Sequence, residues 1–193
     1  RRQRQMCIRD RYYSLDALKF SCAICIVFIH FEILYTEYIN FILRCAVPCF
    51  AMCSGFFFYK ENNRYKTLQI IKKIAGIYVF ATFVYALWQY IQWRTLSPFV
   101  NRSSIINFIV WGNNPFAMHL WYLHCYIYAL LIILILEKCN RFKQVIYWMP
   151  LLLLPNFLLG SYSICFEPTK WQDCIYSRNA YFLILPYFSI GYI

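Results

Sequence analysis

Apolar stretches of about 20 residues follow one another along this chain, and a helix needs that length to cross the hydrocarbon core of a bilayer. They cover approximately residues 15–35, 39–59, 74–93, 119–136 and 145–162, and a sixth begins at Ala180. A backbone in hydrocarbon must satisfy its own hydrogen bonds, which a helix does within one segment. The chain is 62% apolar and 14% charged, whereas soluble domains are about half apolar and about a quarter charged. We therefore predict an all-α protein, a polytopic transmembrane helix bundle.

The formal charge of +11 would suit a nucleic-acid-binding protein, but the basic residues lie in short clusters between the apolar stretches. That distribution is typical of the positive-inside bias, so we expect a lipid bilayer and no nucleic acid as partner. The linkers after the second and fourth stretches carry eight basic residues, namely Lys60, Arg64, Lys66, Lys72, Lys73, Lys138, Arg141 and Lys143. The linkers on the other side carry five, diluted by acidic residues: Arg44, Arg94, Arg102, Lys170 and Arg178. This excess predicts a cytoplasmic amino terminus.

Residues 1–11 differ in character from the rest of the chain. Their sequence, Arg-Arg-Gln-Arg-Gln-Met-Cys-Ile-Arg-Asp-Arg, back-translates to codons that resemble a transposon-based sequencing-library adaptor. We therefore expect residues 1–11 to be a non-native tail; without its five arginines and one aspartate the net charge falls from +11 to +7. The chain stops inside an apolar stretch at Ile193, so we expect residues 12–193 to be the amino-terminal part of a domain truncated at its carboxyl end.

Lys19 and His30 are ionisable residues inside the first apolar stretch. A helix turns about 100° per residue, so His30 returns to within roughly 20° of Lys19 and lies about 16 Å along the axis. Charged side chains in hydrocarbon cost roughly 2.5 kcal/mol or more, and those that occur usually face a cavity and a substrate. The residues alone leave other roles open. Lys19 could extend to the inner headgroups, with Asp16 to neutralise it, and His30 could bond to a neighbouring helix.

Basic and aromatic residues at the ends of other stretches also allow two interpretations. Lys72 and Lys73 could contact anionic lipids, or could form a basic mouth for a phosphate-rich donor such as a nucleotide or coenzyme A. Trp121 and Tyr122 are typical of an interfacial aromatic belt, although the two histidines beside them are less usual there.

The ten cysteines do not predict a metal site. Cysteines in apolar stretches behave as small apolar side chains, and six lie there: Cys22, Cys25, Cys45, Cys49, Cys53 and Cys125. Some of their spacings resemble those of metal ligands, but no second ligand pair lies in a loop, so we expect no metal. Cys165 and Cys174 share one predicted outer loop, where a disulfide would form if the compartment is oxidising.

Five short segments, in order along the chain, carry patterns that occur together in one protein family. They are Leu-Asp-Ala-Leu-Lys at 15–19 with His30 eleven residues after Lys19, Val-Pro-Cys-Phe-Ala-Met-Cys-Ser-Gly-Phe-Phe at 47–57, Lys72-Lys73-Ile74 with Tyr78, His-Leu-Trp-Tyr-Leu at 119–123, and Arg-Asn-Ala-Tyr-Phe at 178–182 with Pro186-Tyr187-Phe188 and Gly191. Together they cover nearly all of residues 12–193, and they resemble the acyltransferase-3 family of integral-membrane acyltransferases.

The resemblance implies a core of about ten transmembrane helices, of which about six would be present here. It implies an enzyme of the bacterial inner membrane that transfers an acyl group, expected to be acetyl, to a hydroxyl of an envelope glycan or a related acceptor. The donor would be acyl-CoA as a co-substrate, and no bound cofactor is implied.

The resemblance also assigns roles to particular residues. His30 would be the catalytic residue, either as a general base or as a transient carrier of the acyl group. Lys19, Lys72 and Lys73 would neutralise the phosphates of coenzyme A as point charges. Further substrate-binding residues would line the same cavity: Ser54, Trp121, Tyr122, Arg178 and Asn179.

One departure from the family pattern bears on the acceptor. Leu123-His124-Cys125 stands where members that modify surface polysaccharide often carry Ser-x-Glu-Glu. The chain is more similar to the branch that holds enterobacterial-antigen-type acetyltransferases and the membrane half of serine/alanine racemases.

A transporter-like membrane domain, as in those racemases, is therefore one alternative function, and a non-catalytic membrane scaffold is another. A transporter should move solute without consuming a thioester, and a scaffold should tolerate loss of His30.

The loop charges predict which linkers are accessible from outside the cell. Single cysteines introduced in residues 101–114 should react with a membrane-impermeant maleimide added to intact cells, whereas those in residues 62–66 should not. Reversed labelling would show that the charge distribution gives the wrong orientation.

Overall fold

The computed structural model describes residues 13–29, 42–61, 64–94, 102–159 and 179–193, and all regular structure in these ranges is helical. The prediction of an all-α helix bundle is therefore confirmed. The expected tail at 1–11, the predicted site residues His30 and Arg178, and the pair Cys165 and Cys174 lie outside the described residues.

Eight α-helices are described, and we number them in chain order: α1 Tyr13–Ile29, α2 Ala46–Glu61, α3 Arg64–Trp93, α4 Arg102–Trp111, α5 Trp121–Lys138, α6 Phe142–Val145, α7 Leu153–Leu159 and α8 Leu185–Tyr192. Short 3-10 helices at Met118–Leu120 and Met149–Leu152 lead into α5 and α7, and a π-helical turn at Ala180–Ile184 leads into α8. Within the described ranges, three helical segments are long and apolar enough to cross a membrane, namely Ile42–Tyr59, Arg64–Gln92 and Met118–Lys138.

Two apolar stretches fold differently from the prediction. The third was expected from residue 74, but α3 begins at Arg64, because its first ten residues contain no proline or glycine to stop a helix. The fifth was expected as one span over 145–162 but is divided into short helices. Pro150 lies at the start of the 3-10 helix Met149–Leu152 and Pro155 in the first turn of α7. Proline lacks an N–H and is tolerated in a first turn, so neither position suits the middle of a continuous helix.

The outer surface of α3 is apolar along most of its length. Val79, Phe80 and Phe83 are each more than 60% exposed, and with Ala75 and Gly76 they line an open apolar groove of about 560 Å³. An apolar surface of this kind is expected where a helix faces lipid chains. The side chains therefore agree with the helix lengths in indicating a membrane protein.

The buried core is centred on α5 and α8, where Ala129, Ile133 and Phe188 are fully buried. Helix α2 packs most closely against α8, α3 packs against α5, and α1 packs against α2. The α2–α8 contact is a backbone contact that depends on two glycines. A Cβ atom on Gly55 would lie 1.9 Å from the carbonyl oxygen of Phe188, and one on Gly191 would lie 2.0 Å from that of Met52. Small residues allow such close approach in membrane helices.

This packing predicts that Gly191→Ala destabilises the bundle by roughly 1–3 kcal/mol or more, since the added methyl group meets backbone that cannot rotate away. Gly76→Ala is the matched control, because a Cβ there meets nothing within 4 Å. The measurement is the thermal unfolding midpoint of each variant in detergent. Equal midpoints for the two variants would contradict the glycine-dependent contact.

Candidate functional site

Lys19 lies at the interface of α1 and α2. Its Nζ atom is 3.8 Å from the centroid of the Phe57 ring on α2, which is cation–π geometry. The side chain is half-buried, so Lys19 points across to α2 instead of extending freely along the surface of α1. Within the described part of the chain, Lys19 forms no ion pair with Asp16 one turn before it, and the one ion pair there joins Arg64 and Glu137.

Ser54 connects α2 to α5. Its hydroxyl donates to the carbonyl oxygen of Phe50 at 2.8 Å, one turn earlier in the same helix. Tyr126 on α5 is a neighbour of Ser54 across the α2–α5 interface.

Tyr122 and Trp121 begin α5 and lie beside the same part of α2. The Tyr122 ring stacks on Tyr126, with centroids 5.9 Å apart, and contacts the Phe50 ring at 6.4 Å. Trp121 meets the edge of Tyr122 at 6.1 Å. Four of the predicted site residues, including Lys19 and Ser54, therefore lie around one junction of α1, α2 and α5.

The other predicted residues that the structure describes lie elsewhere. Lys72 and Lys73 are exposed on the amino-terminal third of α3. Asn179 is fully buried, and its Oδ1 accepts the backbone N–H groups of Tyr181 and Phe182 at 2.9 and 2.8 Å. Asn179 thus caps the π-helical turn before α8, which is a structural role.

The structure adds a buried polar network that the sequence did not predict. The Nδ2 atom of Asn114 donates to the Tyr78 hydroxyl at 3.1 Å and to the Thr82 hydroxyl at 2.8 Å. The Tyr78 hydroxyl lies 2.9 Å from Nδ1 of His124. An amide nitrogen only donates, so the Tyr78 oxygen accepts from Asn114, and the same hydroxyl shares a hydrogen bond with the His124 ring.

Aromatic rings enclose His124 on several sides. Tyr78, Phe108 and Tyr128 each meet the imidazole edge-on, with centroids 5.2, 5.1 and 4.5 Å away. Gly112, at φ 75°, passes so close that a Cβ there would lie 2.9 Å from the Cys125 sulfur. This crowded environment fixes one orientation of the ring.

The network positions the entrance to α5. The Oδ1 atom of Asn114 accepts the N–H groups of Phe116 and Ala117 at 3.0 and 3.2 Å, directly before the 3-10 helix that leads into Trp121. One side chain thus joins α3 to the loop that sets the start of α5. The sequence feature that could have indicated this network is the pair Tyr78 and Thr82, polar residues four apart on one face of an apolar helix.

No three His, Cys, Asp or Glu side chains among the described residues converge in a way that could hold a metal ion. The junction of α1, α2 and α5 instead offers one ammonium group, hydroxyl groups, thiols and aromatic faces. These groups can attract an anion and orient a polar ligand.

These features together define a class of protein: an all-α protein with helices long enough to cross a membrane and a polar junction inside the helix bundle. The family model described as an acyltransferase domain, Acyl_transf_3, matches residues 12–193. The chain therefore belongs to the acyltransferase-3 family, which confirms the resemblance drawn from its five segments, and its general class is membrane acyltransferase. Comparisons with curated proteins and with solved structures found no match.

The polar network predicts that Tyr78→Phe lowers the unfolding free energy by about 1 kcal/mol, because His124 loses its hydrogen-bond partner in a buried place. Tyr90→Phe, at an exposed position of the same helix, is the matched control and should change little. Thermal unfolding in detergent measures both. If the two variants have the same midpoint, the network does not contribute to the stability of the bundle.

Proposed function

We propose that this protein transfers an acyl group, expected to be acetyl, from acyl-CoA to a hydroxyl of an envelope glycan or a related acceptor. Family membership supports the acyl-transfer chemistry. The observation that carries the donor assignment is Lys19, whose ammonium group faces the ring of Phe57 inside the helix bundle and has no carboxylate partner among the described residues. A cation without a carboxylate partner in the described part of the chain suits an anionic substrate, and coenzyme A carries phosphates.

Lys72 and Lys73 extend the positive charge at the cytoplasmic side of the proposed topology. Both are exposed and can therefore reach a soluble donor. Lysine acts as a flexible point charge, which suits attraction of phosphates more than fixed bidentate recognition. In this proposal Lys72 and Lys73 attract the acyl-CoA donor electrostatically, and Lys19 binds its phosphates closer to the junction of α1, α2 and α5.

His30 carries the chemistry in the proposal. It stands eleven residues after Lys19, and the proposal keeps the sequence expectation that both lie on one face of a helix. An alcohol is a weak nucleophile at neutral pH, so a base must take its proton as it attacks. The imidazole accepts the acceptor's hydroxyl proton, the hydroxyl oxygen bonds to the thioester carbonyl carbon, and the carbon–sulfur bond to coenzyme A breaks. The proton then passes from His30 to the departing thiolate.

The remaining proposed residues orient the two substrates. Ser54, Trp121 and Tyr122 surround the junction that Lys19 faces, and Arg178 and Asn179 precede α8 in the sequence. Asn179 supports this region by capping, since its Oδ1 atom is already used. In this proposal the donor side faces the cytoplasm of a bacterium and the acceptor side lies outside its inner membrane, in the orientation expected from the loop charges.

The proposal predicts separate effects for two substitutions, measured on a full-length family member in inverted membrane vesicles with radiolabelled acetyl-CoA. His30→Ala should lower acyl transfer by roughly 10²- to 10⁴-fold, the usual cost of losing a positioned base, while the amount of inserted protein stays normal. Lys19→Ala should raise KM for acetyl-CoA more than it lowers kcat, and Lys19→Arg should retain most activity because it keeps the charge.

Two results would contradict these roles. If the His30→Ala variant transfers acyl groups at the wild-type rate, His30 is not the base, and the transporter or scaffold function is favoured. Equal loss of activity in Lys19→Arg and Lys19→Ala would show that charge is not what Lys19 contributes.

A further inference from the structure

The segment that connects α5 to α7 has no role in the proposed function, and it begins where a membrane-length helix ends. Helix α5 ends at Lys138, which is also the last residue of the candidate span Met118–Lys138. Asn140, at φ 54°, turns the chain out of the helix, and the Arg141 N–H donates to the Leu136 carbonyl oxygen at 2.9 Å. The segment therefore starts at the level where a span of this length leaves the hydrocarbon region.

One side of this segment is fixed in the buried core. Phe142, Ile146 and Met149 recur at helical spacing, and all three are buried members of the core cluster. The Ile146 N–H donates to the Phe142 carbonyl oxygen at 2.9 Å, so helical turns continue beyond the short helix α6. The opposite side is therefore held outward in a defined arrangement. An amphipathic helical segment at the end of a membrane span is typical of a segment that lies in the membrane interface.

The outward side begins with three exposed cations, Lys138, Arg141 and Lys143. The neighbouring carboxylate of Glu137 does not neutralise them, because its side chain is only 11% exposed and pairs with Arg64 at the start of α3. Among the described residues, none of the three cations forms an ion pair with a carboxylate. Their positive charge is therefore available to an anion at the membrane surface.

Aromatic and then aliphatic side chains follow the cations along the outward side. Tyr147 lies one helical turn after Lys143, and Trp148 comes directly after it. Leu151 and Leu154 continue at three-residue intervals from Trp148, and these four apolar side chains are each more than half exposed. Basic residues contact lipid phosphates, and Trp and Tyr occupy the interface below the headgroups. The order of cations, rings and aliphatic side chains therefore matches a phospholipid from its headgroup to its acyl chains.

We propose that this outward side of residues 138–154, the connector surface, binds an anionic phospholipid, with the phosphate on Arg141 and Lys143 and an acyl chain along Leu151 and Leu154. A soluble phosphate would use the cations but not the apolar side chains beyond them, so the arrangement favours a lipid. The surface lies at the end of the bundle that the loop charges predict to be cytoplasmic, and anionic lipids are typical of that leaflet. The proposal concerns the connector surface alone and stands whether or not the acyl-transfer roles are correct.

Lipid binding by the purified protein in detergent micelles tests the proposal. Dioleoylphosphatidylglycerol is the anionic probe, and dioleoylphosphatidylcholine is the zwitterionic probe with the same acyl chains. Native mass spectrometry at increasing lipid concentration gives the dissociation constant of the first bound lipid. The wild-type protein should bind the anionic probe roughly tenfold more tightly than the zwitterionic one, because only the former brings net negative charge to the cations. Glycerol phosphate, which carries the phosphate without acyl chains, should not displace the anionic probe even in large excess.

Two charge-matched double variants assign the binding to this surface. Arg141→Gln combined with Lys143→Gln should weaken binding of the anionic probe roughly 10- to 30-fold, the effect of removing two cations that face an anionic lipid. Arg94→Gln combined with Arg102→Gln also removes two exposed cations, at the end of α3 and the start of α4, and should retain the wild-type affinity. Unfolding midpoints in detergent without lipid show that both variants are folded.

Four results would overturn the proposal. Equal affinities of the wild-type protein for the two lipids would show that charge does not select the lipid. Displacement by glycerol phosphate would show a site for soluble phosphates. Both of these measurements use the wild-type protein and do not depend on how a variant folds. Equal weakening in the two double variants would show a dependence on net charge alone, and wild-type affinity in the Arg141→Gln, Lys143→Gln variant would show that the lipid binds elsewhere.

Discussion

The contact between α2 and α8 determines where the site residues lie. Gly55 and Gly191 let the two backbones touch, and this fixes the rotation of α2 about its axis. With Gly55 turned toward α8, the neighbouring Ser54 and Phe57 are turned toward α5 and α1. Lys19 is then placed through Phe57. The polar junction therefore depends on a backbone contact made at two glycines.

Helices α3 and α5 form a second, separately anchored pair that runs antiparallel. At one end, Arg64 Nη2 donates to the Glu137 carbonyl oxygen at 2.7 Å, and its Nε atom lies 3.7 Å from the Glu137 carboxylate. Further along, Tyr78 bonds to His124, and beyond that the rings of Tyr85 and His119 meet at 4.8 Å. A basic side chain on the last carbonyls of a helix also satisfies groups that the helix cannot. Polar contacts at several positions along the helix axes thus fix the register of α3 against α5.

Much of the fold follows from local sequence, but particular features do not. The stretches that became α2 and α5 are apolar for about the thickness of a bilayer, so their positions could be predicted. The fifth stretch was equally apolar, and only Pro150 and Pro155 showed that it would be divided. The role of His124 could not be predicted, because its partner Tyr78 lies 46 residues away and the Asn114 amide that joins them is in a loop. The capping role of Asn179 was not predicted, because the residue belongs to a family motif from which substrate binding was expected.

The energetics of Lys19, which has no carboxylate partner among the described residues, bear on the proposed anionic donor. A cation–π contact contributes about 0.5–2 kcal/mol. The Phe57 ring therefore stabilises the ammonium group of Lys19 but supplies no negative charge. In the proposed function, a donor phosphate would give Lys19 the negative partner that none of the described carboxylates provides. The ring restrains the position of the ammonium group without neutralising it, so the attraction for an anion is retained.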